Sequence, residues 1–167
     1  MTGVHRVGPV PVPTAEAMHT FGVRLAGQLR AGDLVLLTGP LGAGKTTLAA
    51  GIGEGLGVRG RATSPTFVIA REHPPLGDGP WLVHVDAYRL GGLDELEDLD
   101  LTANADQAVT LVEWGHDLAE GLAAERLEVL IDRPEDVDPQ DETRWLTLVG
   151  TLGRWSPTSL QSLMPTV

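Results

Sequence analysis

The sequence predicts a single α/β domain, three layers deep, with parallel and antiparallel strands in one central sheet. Three observations carry that prediction. Short apolar runs of strand length alternate with helix-like segments along the chain, as in a sheet covered by helices. One of those runs, Leu34-Val35-Leu36-Leu37, leads into Gly39-Pro40-Leu41-Gly42-Ala43-Gly44-Lys45-Thr46-Thr47, and a helix-like run from Thr47 to Ile52 follows. Those nine residues satisfy G-x-x-x-x-G-K-[ST] at every fixed position, and strand, glycine-rich turn and helix are the context that makes the match a phosphate-binding P-loop. Finally, an eight-residue bend from His73 to Pro80 separates the strand-like runs Thr66–Arg71 and Trp81–Asp86. That is too short for a parallel crossover, so the two strands are antiparallel neighbours in a P-loop NTPase fold with a mixed sheet.

In chain order, residues 1–13 alternate Val with Gly and Pro, which suits an extended edge strand at best. Thr14 is placed to N-cap a helix, and Ala15, Met18, Phe21, Leu25 and Leu29 fall on one face of it as far as about Arg30. Gly32-Asp33 turns the chain into the first core strand, 34–38, and the P-loop follows. Its helix runs to about Leu56, with Gly55 and Gly57 as stop signals. Gly51 and Gly53 inside that helix weaken it by roughly 1 kcal/mol each relative to Ala, or admit another element closely. Arg59–Pro65 reads as a loop before the antiparallel pair. An acidic helical patch, Asp94–Asp100, precedes the strand Val109–Val112, which ends at Glu113-Trp114-Gly115. A short helix near 116–124 and two strands, Leu127–Ile131 and Arg144–Val149, complete a domain of residues 1–152. Residues 153–167 are a tail, loose or holding a short helix.

Composition narrows the function. At 167 residues and a net charge of −11, the chain can bury a real core but offers no global field that draws nucleic acid or anionic lipid, so strong direct RNA or DNA binding is not expected. It has no cysteine, no signal peptide pattern at the N-terminus and no apolar run near the roughly 18 residues of a membrane span. A cytoplasmic location is expected. Of its 12 basic residues Lys45 alone is lysine. The residue kept there is a compact, mobile ammonium, which a planar guanidinium replaces poorly.

The P-loop glycines let the backbone turn its N–H groups toward one anion, and the helix N-terminus adds its partial positive charge. Gly39, Leu41, Gly42, Ala43, Gly44, Lys45, Thr46 and Thr47 are therefore the expected nucleotide contacts, with Lys45 on the terminal phosphates and the Thr46 hydroxyl on Mg²⁺. Such a site needs an acid at the C-terminal end of a nearby strand. Asp86, Glu113 and Asp132 all end apolar strands. Asp132, followed by Arg133-Pro134, reads as a turn residue leading to the sheet edge. Asp86 and Glu113 are the candidates for Mg²⁺ and for orienting the attacking water. His84 shares a strand face with Asp86 and reads as a packed, hydrogen-bonded histidine rather than a metal ligand. Ser64 and Thr66, in Thr63-Ser64-Pro65-Thr66, can sense a terminal phosphate or simply form a turn. Trp114 can stack on a base or fill core.

Taken together, the P-loop, Ser64-Pro65-Thr66-Phe67, His84-Val85-Asp86-Ala87-Tyr88-Arg89-Leu90 and Glu113-Trp114-Gly115 resemble the TsaE family, the small bacterial ATPase of tRNA threonylcarbamoyladenosine biosynthesis. The resemblance spans about residues 14–132, and the order of the blocks is far more specific than a P-loop alone. It implies a slow ATPase using ATP and Mg²⁺ within a complex with TsaD and TsaB, supporting their modification of adenosine 37 of tRNA without itself performing the transfer. Carried across, Lys45 binds phosphates, Thr46 and Asp86 serve Mg²⁺, Ser64–Phe67 form a switch-like loop, and Glu113-Trp114 complete the site. Pro40 stands where the family pattern has an acidic residue. Two other readings remain open: a small-molecule kinase, for which no arginine-rich lid is evident, and a nucleotide-gated binding module with negligible hydrolysis. A GTPase is excluded, because its Asn-Lys-x-Asp element needs a second lysine.

Overall fold

Among the described residues, seven strands form one sheet in the order β1-β7-β6-β2-β5-β4-β3. The computed structural model describes residues 3–40, 42–59, 70–86, 106–113, 125–134 and 138–165. The strands are β1 (Val4–Val12), β2 (Leu34–Thr38), β3 (Ala70–His73), β4 (Trp81–Asp86), β5 (Ala108–Glu113), β6 (Leu127–Asp132) and β7 (Arg144–Thr151). Strands β6, β2, β5 and β4 run parallel. At one edge β3 pairs antiparallel with β4, Ala70 opposite Val85 and His73 opposite Leu82; at the other, β7 and then β1 pair antiparallel outward from β6. The mixed sheet expected from the short bend before Trp81 is thus present. The expected segment Thr66–Ile69 and the helices near 94–100 and 116–124 lie outside the described residues.

Alternation along the strands sets two faces. Val35, Leu37, Leu82, Leu111, Leu127, Val129, Ile131, Leu146 and Leu148 point to one side and form the core with helices α1 (Ala15–Ala26), α2 (Lys45–Leu56) and α3 (Pro157–Leu163). Leu36, Val85 and Val112 point to the other side and are equally buried. The sheet is therefore covered on both faces, as a three-layer domain requires. Among the described residues no helix is long and apolar enough to cross a membrane.

Local chemistry accounts for most element ends, and it corrects three expectations. Thr14 caps α1 by accepting from the Ala17 amide at 3.0 Å. That helix stops at Ala26, four residues short of Arg30, because the Gly27, Gln28 and Leu29 amides turn back onto Arg24, Leu25 and Ala26; Leu29 stays in the core from within the turn. Gly55 does not stop α2. It is a packing residue inside it, and Gly57, in the left-handed region with φ 69°, makes the C-cap. Asp132 does not lead straight to the sheet edge, since β7 pairs next to β6 and β1 forms the edge beyond it.

The glycines of α2 mark its closest contact. A Cβ on Gly51 would overlap the His19 carbonyl, one on Gly55 would sit 2.7 Å from the Val23 carbonyl, and one on Gly22 of α1 would sit 2.6 Å from the Leu48 carbonyl. Of the two alternatives for Gly51, close approach is the one that holds. Beyond β7, residues 153–165 belong to the same core: Trp155 is 1% exposed, and Leu160, Leu163 and Met164 are buried beside it. Ser156 caps α3 through the Ser159 amide at 3.1 Å, with Pro157 at the first turn. Arg154 grips Asp33 through two bonds, Nε to Oδ1 at 2.8 Å and NH2 to Oδ2 at 2.9 Å, and also reaches the Gln28 carbonyl. This fork ties the C-terminal segment to the turn that launches β2.

Candidate functional site

The loop Gly39–Thr47 leaves the C-terminal end of β2, the central parallel strand, and enters α2. A Cβ at Gly39 would lie 2.6 Å from the Ile131 carbonyl, so only glycine lets the loop lie this close to β6. Gly42 and Gly44 have φ of 79° and 109°, conformations that L side chains resist and that turn the chain back on itself ahead of the helix. Gly44 is also the N-cap of α2 and offers no side chain, so the first amides of the helix are left for something else to satisfy. Ala43 is fully buried under the turn, its amide donating to the Pro40 carbonyl at 3.0 Å. Pro40, the departure from the family pattern, keeps the carbonyl that the loop uses.

Lys45 folds back into this loop. Its Nζ donates to the carbonyls of Gly39 at 2.7 Å and Pro40 at 3.0 Å, and the residue is 7% exposed. Burial lowers its pKa, and the charges of Glu113 and Asp86 oppose that shift. The ammonium is therefore within the field of both carboxylates. Their placement follows from the sheet: Glu113 ends β5, opposite Leu37 of β2, and Asp86 ends β4, opposite Glu113. Glu113 and Asp86 are both buried, and both share the sheet face that carries α2. Asp132 is one residue out of phase with Ile131, so its exposed side chain points to the other face. Of the three strand-end acids, Glu113 and Asp86 act on the Lys45 charge and share its side of the sheet. His84 is fully buried, and its Nε2 lies 2.8 Å from Glu113 Oε2.

Thr46 is exposed at the first turn of α2, and Thr47 is half-buried. Among the described residues no group of three or more His, Cys, Asp or Glu is arranged to hold a metal ion. As oxygen donors at a glycine-rich loop, Asp86, Glu113 and Thr46 instead fit Mg²⁺ in kind, which keeps several waters and needs few protein ligands. Leu41, Ser64, Thr66 and Trp114, also expected at this site, lie outside the described residues.

The family profile described as "Threonylcarbamoyl adenosine biosynthesis protein TsaE" matches residues 12–144, which include every element of this site. The chain belongs to the TsaE family. It is 59% identical to the TsaE of Streptomyces coelicolor over 147 residues, 87% of this chain and 99% of that protein. It is 48% identical to the TsaE of Mycobacterium tuberculosis over 143 residues, covering 81% and 85% of the two chains. The fold matches the crystal structure of Bacillus subtilis YdiB with a TM-score of 0.72 at 32% identity, over 96% of this chain and 95% of that one. TsaE proteins take part in threonylcarbamoyladenosine modification of tRNA.

In this TsaE chain Thr14 and Arg144 are among the residues beside the loop that went unnoticed in the sequence. A cleft of about 130 Å³ opens beside the loop, lined by Thr14, Met18, Gly44, Thr47, Glu142 and Arg144. Arg144 NH2 lies 3.4 Å from the Gly42 carbonyl, so a guanidinium from β7 reaches the crest of the loop. Neither residue carries a local signal. Thr14 reads as a helix cap and Arg144 as the start of a strand. Only the antiparallel return of β7 beside β6 brings Arg144, 102 positions away in sequence, to Gly42.

Proposed function

We propose that this TsaE protein binds ATP with Mg²⁺ at the Gly39–Thr47 loop and hydrolyses it slowly in the cytoplasm, engaging a TsaB–TsaD complex that modifies adenosine 37 of tRNA. The observation that carries this reading is Lys45, buried in a curled glycine loop, bonded to its carbonyls and lying in the field of two strand-end carboxylates. A buried ammonium with that neighbourhood suits a polyphosphate bearing a divalent cation. When bound, ATP supplies the phosphoanhydride and Mg²⁺ the charge that neutralises it. Lys45 would release its carbonyls and turn to the terminal phosphates. The Thr46 hydroxyl and Asp86 would hold the cation's ligand shell. Glu113, held on the face that carries α2, would orient the attacking water. The cleft beside Thr14, Thr47 and Arg144 would take the nucleoside end. Family membership supports the pathway; the negative net charge of −11 favours protein partners over direct contact with tRNA.

The test has two parts. Lys45→Ala should abolish ATP binding or turnover in a protein whose circular dichroism is unchanged; wild-type activity in that variant rejects the site. Capture from native cells with and without ATP should recover TsaB and TsaD, and recovery of an unrelated small-molecule enzyme instead rejects the partnership.

A further inference from the structure

We infer that His84 is a positioning residue for Glu113. It donates from Nε2 to Oε2 and thereby fixes which carboxylate oxygen faces the phosphate loop. The inference rests on the ATPase reading above for its consequence, but its structural part stands alone. His84 on β4 pairs with Leu111, and Glu113 is the diagonal neighbour two residues further along β5. Both side chains are out of solvent, at 0% and 4% exposure, and are 2.8 Å apart. A diagonal pair on one sheet face spans a distance that a long side chain can bridge.

The tautomer follows from what surrounds each ring nitrogen. Nδ1 is buried and has no hydrogen-bond partner. A proton there would be an orphaned buried donor and would leave the Nε2 lone pair against a carboxylate oxygen. A proton on Nε2 removes both penalties at once. The Nε2 proton is thus committed to Glu113. Oε2 is occupied, and Oε1 is the oxygen left for the site. Unlike Lys45, whose ammonium can swing between loop carbonyls and phosphates, the imidazole is locked between strands and can hold the carboxylate still. Outer-shell donors of this kind orient a functional carboxylate, and their loss typically costs about 10–100-fold in metal affinity or activity.

The experiment uses the full chain. ¹⁵N imidazole spectra of the nucleotide-free protein should show a proton on Nε2; a ring whose Nε2 is bare overturns the inference whatever the protein's activity. For function, His84→Gln puts an amide N–H near the Nε2 position, whereas His84→Asn cannot reach it and His84→Phe has no donor. The Gln variant should keep kcat within about threefold of wild type. The Asn and Phe variants should lose about 10–100-fold in kcat or in Mn²⁺ affinity of the ADP-loaded protein, with fluorescent-ADP affinity within about threefold. Wild-type kcat and Mn²⁺ affinity in the Phe variant, or Gln and Asn falling together in step with their melting temperatures, overturn it. A wild-type protein that neither binds nor hydrolyses ATP rejects the ATPase reading instead and leaves the tautomer result to decide the contact.

Discussion

Replacing Trp155 by Ala removes the largest fully buried side chain beyond β7. Trp155 is 1% exposed, its Cβ lies where a Cβ on Gly150 would be 2.6 Å away, and the Arg154 guanidinium sits 4.1 Å above its ring. A buried Trp hides about 150–250 Å², which at about 25 cal/mol per Å² corresponds to roughly 4–6 kcal/mol of transfer free energy. Alanine and partial collapse of the site recover part of that, so the expected loss is about 3–5 kcal/mol. For a domain of this size about 2–4 °C of melting temperature goes with each kcal/mol, giving a drop of roughly 6–20 °C. Urea unfolding followed by far-ultraviolet circular dichroism measures the loss directly. Nucleotide affinity of the folded fraction should not change, because Trp155 packs at the opposite end of β7 from Arg144. A loss below about 1 kcal/mol would refute the reasoning, since it would mean that residues 153–165 are an appendage to the core.

Four further outcomes are expected. Gly39→Ala should cut ATP affinity more than it lowers stability, because its Cβ must push the loop off the Ile131 carbonyl; equal effects on both would show that the strand moves instead. Arg144→Ala should weaken nucleotide binding by about tenfold or more, the range for one charge-assisted contact of about 1.5–3 kcal/mol, as read by fluorescent-ADP titration. Asp33→Asn, which weakens the fork to Arg154, should destabilise the fold, and the double variant with Arg154→Ala should be less damaging than the sum of the two. Burial holds Lys45 below its ordinary value of 10.5, so the native state binds fewer protons than the unfolded chain in the interval up to that value. Its linkage term therefore makes stability rise with pH through that interval, and Lys45→Met should flatten the slope in pH-dependent unfolding.

The site was legible where one stretch of chain carries it. A glycine-rich loop between strand and helix, and acids that close apolar strands, announce themselves through spacing alone, and the charges of Asp86 and Glu113 do act on Lys45. What stayed hidden depends on which strands become neighbours. Asp132 was set apart by the Arg133-Pro134 that follows it, but the physical reason it stays out, an exposed side chain on the far face of β6, depends on where β6 lies in the sheet. The bond from His84 to Glu113 spans 29 positions, and apolar patterning says nothing about it. The C-terminal segment was half-readable: Ser156-Pro157 is a helix start and Leu160 and Leu163 keep a helical spacing, but Trp155, which anchors it, has no periodicity to betray it.

The glycine contacts between α1 and α2 bear on how the protein can respond to a nucleotide. With backbone against backbone at Gly22, Gly51 and Gly55, neither helix can slide or roll without collision, so the two behave as one rigid block. That block contributes Thr14 at the start of α1 and Gly44 at the start of α2 to the cleft, which Glu142 and Arg144 also line. At the proposed nucleotide site, a difference between triphosphate and diphosphate would then be read by what faces the block, the ends of β4 and β5 and Arg144 at the start of β7. For the nucleotide site proposed above, the two helices would act as a fixed jaw.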